Sequence, residues 1–279
     1  MEALVLGPTN KVFSFQTNEK SKTILKKYKS KIRIMTTFQI LSDLHLETGV
    51  KYPVDTILPR SDILVLAGDI GSFYEPTAII EFIQDIASKF KFILYVPGNH
   101  EYYFLNKKSV IKSPSTLLYN FKKLTSHIKN FHVLDRKIVR INGVVFAGAT
   151  LWSNPHPHRA LPDYMNLDLT SKDYLNMHNR DRKWLNRVSK LDEPIVVITH
   201  HAPSKQVLKR SSFVNVYESF YATSLEHTDI FKKAKVWVFG HTHHNVDKII
   251  GNTRIVTNQS GKSADPCSVD TTQIIKIEV

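Results

Sequence analysis

Five short apolar runs in this sequence each end on side chains that can hold a proton or a cation. Phe38–Leu41 runs into Ser42-Asp43-Leu44-His45, and Ile63–Ala67 runs into Gly68-Asp69. Phe92–Val96 leads to Gly98-Asn99-His100-Glu101, Ile195–Thr199 to His200-His201, and Val236–Phe239 to Gly240-His241-Thr242-His243-His244. Short, unbroken apolar runs of this kind read as strands buried on both faces. Between them, Ile79, Ile80, Ile83, Ile86 and Ala87 share one face of a helix expected over Pro76–Phe90. Ser113 before Pro114 is a helix start, and Thr170–Lys190 reads as a long polar helix. Asn142-Gly143 splits Val139–Ala147 into a hairpin. Val246–Ile250, Arg254–Thr257 and Gln273–Ile277 are strands, with Gly251-Asn252 as a turn. Alternating strands and helices followed by strand pairs predict an α/β fold whose sheets are covered by helices. In such sheets ligands bind beyond the carboxyl ends of the strands, which is where these polar residues fall.

The chain has 279 residues, 42% hydrophobic and 23% charged, and a formal net charge of +13. Residues 1–34 carry eight Lys/Arg against Glu2 and Glu19, so a basic N-terminal extension over 1–34 separates from a domain over 35–279. Within Lys22–Ile34, Leu25, Tyr28 and Ile32 recur at helical spacing among lysines, the pattern of a short basic amphipathic helix. A basic chain attracts polyanions, yet no nucleic-acid-binding motif accompanies the charge. A nucleic-acid partner therefore rests on charge alone. No apolar run approaches the roughly 20 residues of a transmembrane segment, and the N-terminus lacks a signal-peptide pattern. The single cysteine, Cys267, excludes an intrachain disulfide and a multi-thiolate zinc site. The expected location is intracellular, in the cytoplasm.

The polar strand ends carry chemistry as a set. Residues two apart on an extended segment point to the same side, so Asp43 and His45 can grip one ion, as can His241 and His243. Seven of the 13 histidines, at 45, 100, 200, 201, 241, 243 and 244, fall in these strand ends. Asp, Asn and His without thiolate suit Mn, Fe or Zn better than Cu(I) or an all-oxygen calcium site.

The ordered series Asp43-x-His45, Gly68-Asp69, Gly98-Asn99-His100-Glu101, Thr199-His200 and Gly240-His241-x-His243 resembles the calcineurin-like metallophosphoesterase superfamily. Asp163-Tyr164-Met165-Asn166 and His178-Asn179-Arg180 through Trp184 are similar to poorly characterised bacterial and phage members. The resemblance covers about residues 36–279. It implies a four-layer α/β/β/α sandwich and two divalent or trivalent metal ions. Asp43, His45 and His243 would hold one ion, and Asn99, His200 and His241 the other. Asp69 would bridge both. His201 either replaces His200 or sits beside the site, and the resemblance favours His200. His100 would be catalytic, as acid or charge stabiliser. Glu47 and Glu101 would orient neighbours. The implied reaction is attack of a metal-bridging hydroxide on a phosphate mono- or diester.

Protein phosphatases of this superfamily carry Asp-Arg-Gly shortly after the Gly-Asp block, but Gly68-Asp69-Ile70-Gly71-Ser72-Phe73 holds no arginine. That departure favours a phosphodiesterase or a phosphatase acting on a phosphorylated small molecule or nucleotide. Trp152, Asn154, His156 and His158 form a candidate pocket loop. His178, Arg180 and Arg182 lie on the long helix, where a solvated face competes with a phosphate-reaching role. The alternative function is a catalytically silent interaction scaffold of the same fold, which usually lacks one of these ligands.

Overall fold

A computed structural model describes strands 3–6 and 12–15 and residues 35–49, 51–104, 110, 112–154, 162–209, 212–262, 265–266 and 268–278. Contacts divide the chain into two units, residues 1–35 with 278–279, and residues 36–277. In the first unit, β1 (Ala3–Leu6) pairs antiparallel with β2 (Val12–Phe15), Ala3 opposite Phe15. The sequence reading placed no strand there. The amphipathic helix expected in Lys22–Ile34 lies outside the described residues.

The larger unit holds two sheets. The first contains β3 (Met35–Leu41), β4 (Ile63–Leu66), β5 (Phe92–Tyr95) and β6 (Phe131–Val133), all parallel, with β15 (Ile275–Glu278) beside β3. The second is ordered β11-β12-β10-β9-β8-β7, from β7 (Lys137–Ile141), β8 (Val144–Gly148), β9 (Ile195–Ile198), β10 (Ala234–Val238), β11 (Asp247–Ile250) and β12 (Thr253–Val256). Its centre, β8-β9-β10-β12, is parallel, and its two edge strands are antiparallel to their neighbours. A two-residue pair, β13 (Gly261–Lys262) and β14 (Asp265–Pro266), follows β12.

Strand side chains alternate between faces, and here both faces are covered. Val65 and Ala67 of the first sheet, with Phe38, Ile40 and Leu94, meet Val144, Phe146, Val196, Ile198 and Val238 of the second. The intervening residues Leu64, Leu66, Ile93 and Tyr95 turn outward onto Ile79, Ile83 and Ile86 of α1 (Thr77–Ala87) and Leu117 and Phe121 of α2 (Pro114–Leu124). Behind the second sheet, Val145, Val197, Trp237 and Ile255 pack on Leu185 and Val188 of α4 (Ser171–Val188) and Ile230 and Phe231 of α6 (Asp229–Lys233). Burial of each such side chain stabilises by about 1.5–3 kcal/mol, which explains why these strands read as unbroken apolar runs. The result is a four-layer α/β/β/α sandwich. Two further helices, α3 (Pro162–Leu167) and α5 (Ser212–Tyr221), were, like α6, not foreseen.

Local chemistry fixes several boundaries. Ser113 Oγ accepts the Thr116 N–H, with Pro114 at the first turn. Thr170 and Asp173 form a reciprocal capping box at α4. Asn142 and Gly143 both hold positive φ, 51° and 78°, which matches the twist a two-residue hairpin needs.

Candidate metal centre

The five polar strand ends meet. After β3, the Asp43 and His45 amides continue the ladder onto the carbonyls of Gly68 and Asp69, each at 3.0 Å. Past β9, the His200 carbonyl accepts the Gly240 N–H at 2.9 Å. Asp43, His45, Asp69, His241 and His243 all sit in the left-handed region, with φ of 57°, 49°, 53°, 71° and 46°. Such conformations are uncommon for residues with a Cβ, tolerated best by Asn, Asp and His, and they cluster where function over-determines the backbone. Tight turns let the side chains converge. A Cβ on Gly98 would collide with Asp69 Oδ1 and lie 2.8 Å from His200 Cδ2, so only glycine fits against the donor cluster.

Three overlapping groups of donor atoms result: Asp43, His45 and His243; His45, Asp69 and His100; Asp69, His200 and His241. His45 Nε2 lies 3.1 Å from His243 Nε2 and 3.8 Å from Asp69 Oδ2, while His243 Nε2 is 3.5 Å from Asp43 Oδ1. On the other side, His200 Nε2 lies 3.2 Å from Asp69 Oδ1 and 2.9 Å from Asn99 Oδ1. Asp69 thus reaches both sides with its two oxygens. The His241 Nε2 is buried without a hydrogen-bond partner. A buried, orphaned imidazole nitrogen beside converging oxygens fits a cation as its missing partner.

A supporting layer fixes how each donor faces. Glu47 Oε1 accepts Nδ1–H from His45 at 2.9 Å and from His100 at 3.0 Å, which assigns Nε2 as the second nitrogen of both rings. The Ala67 carbonyl does the same for His200 Nδ1 at 2.9 Å. Buried Glu101 ties the loops after β4 and β5 together. It accepts the amides of Gly98, Asp69 and Ile70 at 2.7, 3.0 and 2.8 Å, and the Tyr95 hydroxyl at 2.7 Å. Asp163, on α3, accepts Asn99 Nδ2 at 2.9 Å, the Tyr174 hydroxyl at 2.8 Å and the Tyr103 hydroxyl. This turns the Asn99 Oδ1 toward His200. Gln259 Oε1 accepts the His243 N–H at 2.7 Å.

The electrostatics follow from burial. Burial opposes the charge of His200, but Asp69 and Asp43 outweigh it and raise its pKa to about 10. Burial likewise opposes the Asp69 carboxylate, yet His200 and His100 hold it well below its usual range. Burial, with His201 and His200 nearby, keeps His241 neutral by lowering its pKa strongly. Glu47 is held down at about 2, because hydrogen bonds from His100 and His45 overcome its burial. Burial, reinforced by Asp69, pushes Glu101 up to about 8, and burial pushes Asp163 up to about 7. Asp69 and Glu47, held ionised, therefore place negative charge among the imidazoles, a field that suits cations.

All eight residues singled out as ligands or catalyst, Asp43, His45, Asp69, Asn99, His100, His200, His241 and His243, lie in this cluster. Of the adjacent pair, His200 faces Asp69 and Asn99, whereas His201 Nε2 meets the Tyr174 hydroxyl at 3.2 Å. His244 engages through its carbonyl, which accepts Gln259 Nε2 at 2.8 Å. The long helix α4 departs from a solvated face: His178 is buried, its Nδ1 bonding the Leu151 carbonyl at 3.0 Å and that of Trp152. Arg180 is exposed and Arg182 half-buried. Trp152 is buried, its ring 5.9 Å from that of His201. His156 and His158 lie outside the described residues. Sequence reasoning gave no role to Asp163, Tyr103, Tyr174 or Gln259.

A sandwich whose strand ends gather Asp, Asn and His into one buried donor cluster defines a class of metal-binding hydrolases. The chain belongs to the calcineurin-like phosphoesterases, whose family model matches residues 36–245. It is 30% identical over 261 residues to uncharacterized protein L509 of Acanthamoeba polyphaga mimivirus, covering 82% of this chain and 92% of that one. Its fold is similar to that of the phosphopantetheinyl hydrolase PptH from Mycobacterium tuberculosis, with a TM-score of 0.64 and 17% identity, covering 84% of this chain and 92% of that one.

Proposed function

We propose that the chain is a dinuclear metal-dependent phosphoesterase acting on a phosphate diester or on a phosphorylated small molecule or nucleotide. The single observation that carries this reading is Asp69, whose two carboxylate oxygens face separate donor groups, His45 on one side and His200 on the other. Asp43, His45 and His243 would hold one cation, and Asn99, His200 and His241 the second. Mn, Fe or Zn suits these donors. The two ions would polarise the phosphoryl oxygens and acidify the attacking water.

The chain's own groups supply the rest. Asp69 joins the two halves and accepts the His100 N–H at 2.9 Å, so the bridging carboxylate and the His100 backbone move together. Glu47 fixes His100 through Nδ1, and the proton delivered to the departing or phosphoryl oxygen comes from Nε2. Asp163 holds the amide end of Asn99, keeping its carbonyl oxygen directed inward. The absence of an arginine in residues 68–73 supports a phosphodiesterase or small-molecule phosphatase over a phosphoprotein phosphatase.

The test is turnover of a nitrophenyl phosphodiester and the matching monoester by metal-analysed protein, with Mn²⁺ and after chelation. Hydrolysis that disappears with chelator and returns with metal is expected. Two equivalents of bound metal with neither ester turned over would overturn the reading in favour of a silent scaffold.

A further inference from the structure

The first sheet ends at β6 and the second at β7, and the open edge between them is not filled. A cavity of about 340 Å³ runs along β6, lined at its rim by Lys129 and Lys137. A second, of about 230 Å³, adjoins it and is lined by Arg136 and Arg180. Lys122 lines both, so the two cavities are neighbours along the same edge and are treated together as a trough. Among the described residues lining it, five Lys and Arg face a single carboxylate, Asp135. Arg136 and Lys122 reach that carboxylate at 2.7 and 3.8 Å, and Arg136 also pairs with buried Asp181 at 2.7 Å, so the cationic excess of the trough is carried by Lys129, Lys137 and Arg180.

The trough has a direction. Lys129 precedes β6, and Arg136 follows it at the carboxyl end, the same edge that bears the metal centre. The inner end of the second cavity touches Tyr102, Thr150 and Trp152. Tyr102 closes the turn that begins at His100, and the Thr150 carbonyl accepts the amides of His200 and His201 at 3.2 and 3.1 Å. Tyr119, 68% exposed, stands on the rim. A cationic groove with an aromatic face beside it is the arrangement that binds single-stranded nucleic acid, phosphates to the cations and bases to the ring.

We propose that this trough is a binding track for a single-stranded phosphodiester chain, which it leads to the strand edge carrying the metal centre. The choice of a phosphodiester over another polyanion rests on the phosphoesterase reading above. The site is separate from the catalytic groups, so binding reports on it without turnover.

The experiment measures fluorescence anisotropy of a labelled oligothymidylate of about 12 nucleotides, with phosphorothioate linkages that resist hydrolysis, across a salt series. The full chain carries either Lys129→Glu, Lys137→Glu and Arg180→Glu in the trough, or Lys172→Glu, Lys232→Glu and Lys235→Glu as a control matched in charge. All six positions are exposed, so the fold is retained. The basic N-terminal segment is common to every variant and cancels. The trough variant is expected to lose at least tenfold in affinity and to flatten the log–log salt slope by about 2, as three lost phosphate contacts require. The control stays within about twofold, and both variants hydrolyse a small nitrophenyl diester as the parent does. Equal losses in trough and control variants, or no binding by the parent, would overturn the track. Displacement of the oligonucleotide by oligoglutamate of equal length and concentration would overturn it in favour of an acidic polypeptide.

Discussion

His100 and Asp163 separate chemistry from positioning at the level of single side chains. His100 sits beside the donor cluster with its Nδ1 on Glu47, and its backbone amide is anchored on Asp69. His100→Ala is expected to lower kcat by roughly 10²–10⁴-fold while elemental analysis finds the metal content unchanged. A variant that loses metal would make His100 a ligand. Asp163 touches Asn99 and is not among the grouped donor residues. Asp163→Ala leaves the Asn99 amide held by the Tyr103 hydroxyl alone, and metal affinity should fall by about 10–100-fold. Metal-binding titration checks it, and unchanged affinity would show that Asn99 holds its pose without Asp163. The clustering of these Asp, Asn and His residues was legible in the sequence because a polar residue ending an apolar strand is conspicuous. Asp163 stood in a segment noted for its resemblance, but its role, like that of Tyr174, was not legible, because a carboxylate or a phenol looks the same in sequence whether it faces water or a buried amide.

Helix α4 shows what an element adds. Its buried face runs Tyr174, His178, Asp181, Leu185, Val188, a helical stripe in which two members are polar. Asp181 Oδ2 accepts the Leu151 N–H at 2.9 Å, and its Oδ1 meets Arg136 at 2.7 Å. Together with His178 it holds Leu151 and Trp152 at φ of 70° and 23°, strained values for such bulky residues. Burial dominates Asp181 and raises its pKa to about 6 despite Arg136. For half-buried Arg136 the balance is reversed: burial is outweighed by Asp181 and Asp135, and its pKa rises. Between pH 4 and 6 the folded state therefore binds more protons at Asp181 than the unfolded state does. Stability from this group is present below pH 4 and falls as pH rises through 6, by on the order of 3 kcal/mol. Urea unfolding from pH 4 to 7 should show the parent losing stability relative to Asp181→Asn. A parent that gains over the variant across that window would refute the assignment. Most strands were legible because both their faces are buried. Strand β6 was missed because it has three residues with His132 at its centre. Helix α6 was missed because five residues make too short a period to detect. Helix α5, SFVNVYESFY, carries the β-branched and aromatic residues that favour strands, and tertiary context overrides them.

At the scale of the molecule, the metal centre is also a joint between sheets. Asp43 comes from the first sheet and His241 from the second, with the His241 N–H on Asp43 Oδ1 at 2.9 Å. Ser42 and Ser260 join the same two sheets, through Ser42 N–H to the Asn258 carbonyl at 3.1 Å and Ser260 N–H to the Ser42 carbonyl at 3.0 Å. Cations held as proposed, by donors from both sheets, would bind the folded state alone, so removing them should lower Tm. At a metal concentration about a hundredfold above Kd the expected difference is about 2.7 kcal/mol, read by thermal unfolding with and without chelator. Identical midpoints would mean that the ions leave the folding equilibrium untouched. The left-handed backbone at Asp43 and Asp69 has a further consequence for descent. Asparagine adopts that conformation as readily as aspartate, so exchanging one for the other there preserves the turn while erasing a charge. A lineage released from selection for catalysis thus has a short road to a quiet, well-folded copy, and its ancestry would be written in two amides.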